Sequence, residues 1–236
     1  MNLFDKVRRY IAIKFPTERN ATRRIVAFWE KGGVDFEYYK SADQENWLAV
    51  FWDEKSVFYR LFQYLNTDHL LEIACGTGRH SAKVSAQVKT LYLLDSSRGA
   101  LDLAKERFIK NNNVQYILNT EGLGIPQNTI EAESLTAVFS YDAMVHFEKE
   151  AVESYIRDSY SALGAGGYAL FHHSNYDKNP QGRFTDNPGW RNYMTKDLFV
   201  SMAMKYGFEI VHSEILSFSS PDSDCITLLK KPGSDA

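Results

Sequence analysis

The chain has 236 residues, 44% of them hydrophobic and 24% charged, with a formal net charge of −3. That length can bury the core of one enzyme-sized α/β domain, and the near-neutral balance excludes a global binder of polyanions. Only two cysteines are present, Cys75 and Cys225, which excludes a disulfide framework or a cysteine metal cluster; both sit in apolar runs and read as buried free thiols of a reducing compartment. There is no signal peptide and no apolar run near the ~18 residues of a membrane span, so a cytoplasmic protein without an integral membrane segment is expected.

Residues 1–66 read as helices, an N-terminal extension ahead of a domain over 67–232. Phe4, Val7, Ile11 and Ile13 give a loose helical stripe that Pro16 and Thr17 interrupt. This start is basic, with Lys6, Arg8, Arg9, Lys14, Arg19, Arg23 and Arg24 against Asp5 and Glu18. Either a solvated helix face or a contact with an anionic surface follows from that run. The next stretch is crowded with rings, among them Phe28, Trp29, Phe36, Tyr38, Tyr39, Trp47, Phe51 and Trp52. Such rings either pack the helices together or form a lid over a small pocket, where Tyr39 and Trp47 would touch an acceptor.

From Leu70 the pattern becomes strand–helix alternation. Strands are expected at 70–74, 90–94, 114–118, 135–140 and 167–172, and helices near 81–85, 99–110 and 148–163. Alternation of this kind implies a parallel sheet covered on both faces, doubly wound in the Rossmann manner. A further helix from Thr195 to about Lys205 ends at Gly207, and strands at 208–217 and 225–230 form a hairpin across Ser219-Ser220-Pro221-Asp222-Ser223. Between the fifth strand and that helix lies a polar, turn-rich insertion, 175–193, whose Trp190, Arg191 and Tyr193 suit an acceptor that stacks or presents an anion.

The first strand runs into Glu72-Ile73-Ala74-Cys75-Gly76-Thr77-Gly78, an apolar run closed by a Gly-x-Gly turn. At such a turn the backbone can approach a ligand closely. The dinucleotide fingerprint needs a third glycine, and Ser81 stands there instead; Glu72 would also lie close to a pyrophosphate, which is electrostatically poor. A ligand carrying a cationic amino group suits the acid better. Asp95 closes the second strand about 20 residues after the turn, where an acid accepts hydrogen bonds from ribose hydroxyls.

Taken together, Glu72-Ile-Ala-Cys-Gly-Thr-Gly and Asp95 resemble the first motifs of the class I S-adenosylmethionine-dependent methyltransferases. The resemblance covers about residues 68–230. It implies a seven-stranded, mostly parallel α/β sheet in the order 3-2-1-4-5-7-6, with the last inserted strand antiparallel, an N-terminal helical lid, and S-adenosylmethionine as methyl donor. It implies cofactor contacts from Glu72, Ala74, Gly76, Thr77, Gly78, Asp95 and Ser96. Asn119, Thr120 or Glu121 would serve the adenine amine, and Ser140 and Tyr141 at the fourth strand end would pass under the methionine part.

A hydroxyl acceptor is helped by a general base, and histidine is the natural choice near neutral pH. His146, His172 and His173 lie at the correct edge of the sheet. Consecutive strand residues point to opposite faces, so at most one of His172 and His173 is expected to look into the pocket, and His173 is favoured. His173 or His146 would orient or deprotonate the acceptor, with Asp142 nearby and no metal. The expected function is methylation of a small polar or glycan-type acceptor at oxygen. Small-molecule N-methylation is the close alternative, and an inactive module that binds the cofactor or a partner is the more distant one. Nucleic acid is not an expected partner, because the basic N-terminus is short and no run suited to gripping a flipped base is present.

Overall fold

The computed structural model describes residues 21–32, 43–178, 180, 191–218 and 220–233. The basic run before Ala21, Tyr39 and Trp190 lie outside the described residues. Among the described residues, three helices come first: α1 (Ala21–Gly32), α2 (Glu45–Trp52) and α3 (Val57–Phe62). Strands β1 (His69–Ile73), β2 (Thr90–Asp95), β3 (Val114–Leu118), β4 (Leu135–Ser140) and β5 (Leu163–Ser174) then alternate with α4 (Arg98–Arg107) and α5 (Lys149–Ala162). Helix α6 (Lys196–Lys205) precedes the hairpin of β6 (Glu209–Leu216) and β7 (Asp224–Lys230).

These strands make one seven-stranded sheet, in the order β3-β2-β1-β4-β5-β7-β6. Strands β1 to β5 pair in parallel, with Leu71 opposite Tyr92 on one side and Val138 on the other. Strand β7 runs antiparallel to both β5 and β6. The order and sense are those implied by the class I resemblance. The order in which strands are added reverses at the β1–β4 junction, which leaves a crevice at their carboxyl ends.

Side-chain alternation along each central strand builds two cores, one per face. Leu70, Leu91, Leu93, Phe139, Leu170 and Leu228 face α2, α3 and α4, packing on Phe51, Phe58, Phe62 and Leu101. Leu71, Ile73, Leu94, Val138, Phe171 and Leu229 face α5 and α6, packing on Ile156 and Phe199. The aromatic segment therefore divides: Phe51 of α2, with Phe58 and Phe62 of α3, belongs to the core, whereas α1 lies over the crevice. Among the described residues, no helix is long and apolar enough to cross a membrane.

The helix expected over 81–85 is shorter, a single 3-10 turn at Ser81–Lys83. Lys83 and Val84 close on carbonyls three residues back, those of His80 and Ser81. The carbonyls of Ser85 and Val88 then receive the Asn113 side-chain amide at 3.4 and 2.7 Å, which ends the helical ladder before β2.

At the far end of α5 the Lys231 ammonium, largely buried, donates to the Tyr160 and Leu163 carbonyls at 3.1 and 2.7 Å and to Glu133 at 3.1 Å. A cation suits the negative end of the helix dipole, and these carbonyls have no intrahelical donors. Lys231→Met keeps the stem but leaves them unpaired, and is expected to lower the free energy of unfolding by about 1–3 kcal/mol in a urea titration.

Candidate active site

The site begins at the turn after β1. Ala74, Gly76 and Gly78 all take positive φ, at 56°, 55° and 75°. A Cβ on Gly78 would stand 2.5 Å from the Phe108 ring, so only glycine fits there. Asp95, at the end of β2, holds this turn: one carboxylate oxygen accepts the Gly76 N–H at 2.7 Å and the other the Ser97 N–H at 2.8 Å. Ser97 in turn caps α4 by accepting the Ala100 N–H at 3.1 Å. Burial pushes the Asp95 carboxyl up from its ordinary value, against the pull of these donors.

Glu72 lies behind the turn, 1% exposed, and does not face the crevice. Its carboxylate accepts both the backbone N–H and the hydroxyl of Ser81. The residue that replaces the third glycine therefore has a job, as the donor pair for a buried acid. Desolvation by burial still dominates and raises the Glu72 carboxyl from 4.5 to about 7.

The crevice is an open cleft of about 910 Å³, a figure that includes the solvent space at its mouth. Of the residues expected to hold a cofactor, Ala74, Gly76, Thr77, Asp95, Ser96 and Tyr141 line it. Asp142 and His146, expected in catalysis, line it as well. Other expected residues stand behind the lining. The Ser140 hydroxyl is spent on the Ile73 carbonyl at 2.9 Å. Asn119 is buried and ties its own loop, donating to the Gly124 carbonyl at 2.7 Å and the Tyr155 hydroxyl at 3.0 Å. Thr120 and Glu121 are exposed at the rim, where Glu121 pairs with Arg23 of α1 at 2.8 Å. From this loop it is Gly122 that reaches the cleft.

His173 does not look into the cleft. Its ring is fully buried, stacked on Phe199 of α6 at 3.7 Å between centroids, and its nitrogens meet the Ser174 carbonyl and the Thr227 hydroxyl. Strand alternation separates the two neighbours as expected but assigns them the other way: His172 lies on the side of Tyr141. Arg191, expected to meet an acceptor, is instead buried in a two-pronged ion pair with Asp224, at 2.6 and 2.7 Å. Tyr193 bridges to Tyr176 away from the cleft lining. Trp47 lies on α2, and its side chain is outside the described residues.

Several lining residues had not been singled out. Thr22, Ile25 and Val26 of α1 roof the cleft beside Trp29, one of the rings expected in a lid, the four standing at i, i+3, i+4 and i+7. That spacing is legible as an apolar helix face, but only the fold shows what it covers. Arg79 and His80, next to the glycine turn, also line the cleft. Arg79 donates to Asp142 at 2.8 Å, while His80 is buried among Phe51, Phe58 and Tyr141. The Trp52 indole and the Arg79 guanidinium approach its two ring nitrogens at 3.1 and 3.2 Å, and a neutral imidazole can accept only one of them. Burial holds the His80 ring well below its ordinary pKa.

Residues 70–167 match the family model described as a methyltransferase domain. No curated protein matches the chain. Among solved structures, an S-adenosylmethionine-dependent methyltransferase from Mesorhizobium loti superposes with a TM-score of 0.61 at 16% identity, covering 76% of this chain and 99% of that one. Phosphoethanolamine N-methyltransferase 2 of Haemonchus contortus, in complex with S-adenosyl-L-methionine, gives 0.63 at 16% identity, covering 92% and 61%. A geranyl diphosphate methyltransferase gives 0.59 at 10% identity, covering 73% and 75%.

The Glu72 carboxyl gives the site a pH signature. Its folded pKa is above its unfolded one, so the group is neutral toward folding below about 4.5. It becomes a growing penalty until pH passes about 7, of about 3 kcal/mol in full. Glu72→Gln is expected to gain on the wild type by that order between pH 4.5 and 8, measured by urea unfolding at both ends.

Proposed function

We propose that this chain, whose residues 70–167 match a methyltransferase domain, is a class I S-adenosylmethionine-dependent methyltransferase that moves the methyl group onto the oxygen of a small polar acceptor, glycan-type hydroxyls included. The observation that supports this most directly is that one cleft gathers the glycine turn, Asp95 and His146. The residues fit the cofactor. The turn leaves no side chain between backbone and cleft at Gly76, and the Asp95 carboxylate stands at the β2 end, where ribose hydroxyls would be received. When bound, the cofactor supplies a methyl group on a sulfonium, so the chain's own work is orientation and proton handling.

In this reading Asp95, Ser96 and the backbone of Ala74–Thr77 hold the donor, with Gly122 under the adenine end. Glu72 acts from behind the turn. His146 closes the short 3-10 turn after β4 at Met144–His146, and its ring is 5.8 Å from that of Trp29 on α1. Its place in the lining lets it take the acceptor's proton. Helix α1 excludes water from above, which strengthens each polar interaction inside.

A second reading is N-methylation, favoured by the likeness to the phosphoethanolamine N-methyltransferase over 92% of this chain. A neutral amine needs no base, so His146 would be a bystander.

Two measurements test the proposal. Calorimetric titration with S-adenosylmethionine and S-adenosylhomocysteine is expected to give micromolar binding, weakened at least about tenfold in Asp95→Ala. No binding to either by the wild type would sink the enzyme reading. In a screen of hydroxyl and amine acceptors, His146→Gln is expected to lower kcat by about 10²-fold or more for a hydroxyl. An unchanged kcat with an amine would select the second reading.

A further inference from the structure

Asp142 is a lining residue whose backbone sits in the left-handed region, at φ 55°. Residues other than glycine reach that region at a cost, and at a functional site they persist only when their surroundings fix them. Two tethers fix this one. Its carboxylate receives the Arg79 guanidinium at 2.8 Å, and its backbone N–H donates to Nδ1 of His172 at 3.1 Å.

The second tether dictates the state of the imidazole. A ring nitrogen that accepts a hydrogen bond carries no proton, so in the neutral ring the proton is on Nε2. That Nε2 is buried without a hydrogen-bond partner. It faces the Asp224 carboxylate at 3.8 Å, beyond hydrogen-bond reach, and Asp224 is itself fully buried and clasped by Arg191. The ring also lies under Tyr141, at 4.7 Å between centroids and 30° between planes, and Tyr141 lines the cleft.

Building on the methyltransferase reading above, we propose that His172 is a positioning residue. As its Nε2–H tautomer, oriented by the Asp224–Arg191 pair, it holds Asp142 and Tyr141 in place as the floor of the cleft beside the glycine turn. The arrangement gives Arg191 a place in the site without contact to any ligand. Asp224 aims the Nε2–H side of the ring, Nδ1 then points at Asp142, and Arg191 compensates a carboxylate that could not otherwise be buried there.

The test needs no acceptor. A long-range ¹H–¹⁵N correlation spectrum of the uniformly ¹⁵N-labelled protein, with the His172→Asn spectrum identifying the signal, is expected to show Nδ1 unprotonated and Nε2 protonated. The amide oxygen introduced by His172→Asn falls near the place of Nδ1, so that variant keeps an acceptor for the Asp142 N–H, whereas His172→Phe keeps the flat ring and loses the acceptor. S-adenosylhomocysteine is expected to bind His172→Phe about tenfold more weakly than wild type, one hydrogen bond's worth, and His172→Asn within about threefold. The proposal is overturned by a protonated Nδ1, by wild-type affinity in the folded Phe variant, or by equal losses in both variants. The spectrum decides the matter alone should the Phe variant not fold. Absence of binding to the wild type would instead strike the methyltransferase reading, with the ring nitrogens still reporting whether His172 holds Asp142.

Discussion

Everything at the cleft hangs on the Asp95 carboxylate. One oxygen holds the turn that follows β1 and the other holds the entrance to α4, so a single side chain ties two strand ends and a helix start together. Burying an acid there is costly, which shows in the raised pKa of the group. Backbone N–H donors offset that cost without bringing in a countercharge. The turn can accept this clasp only because Gly76 and Gly78 take conformations a side chain would resist.

Around that junction the walls differ in how they are held. The wall formed by Tyr141 and His80 is continuous with the core behind it, with ring centroids of Phe51 and Phe58 at 4.6 and 4.2 Å from Tyr141. Close-packed rings of this kind give a wall that does not readjust cheaply. The roof is attached otherwise. Helix α1 buries Thr22 and Ile25 and meets the domain through polar contacts at its ends, Arg23 with Glu121 and Glu30 with the Arg98 N–H. Exposed ion pairs contribute about 0–1 kcal/mol each, so the roof is held mainly by its apolar stripe.

Three other acids near the cleft each have a side-chain partner. Glu72 is given Ser81, Asp224 is given Arg191, and Asp142 is given Arg79. In each case the partner is close to a cleft residue or is one, so the same contacts that make burial tolerable also fix geometry.

The sequence by itself determined most of the sheet and the glycine-turn edge of the cleft. The apolar runs at 70–74 and 135–140 read as strands buried on both faces, as they are, and Gly76 and Gly78 encode a backbone conformation that follows from their own sterics. What only the tertiary structure decided is the direction in which polar side chains far apart in the chain turn. Alternation allowed one of His172 and His173 to approach the cleft, but the choice went to His172 because α6 brings Phe199 onto the ring of His173. Arg191 reads as a ligand group until Asp224, 33 residues later in the chain, takes both prongs of its guanidinium. Nor could α1 be placed over the cleft from its stripe alone, since an apolar helix face states that it is covered and not by what. Local conformation follows from each residue's own sterics and hydrogen-bonding groups, whereas pairing depends on which surfaces the finished sheet brings together.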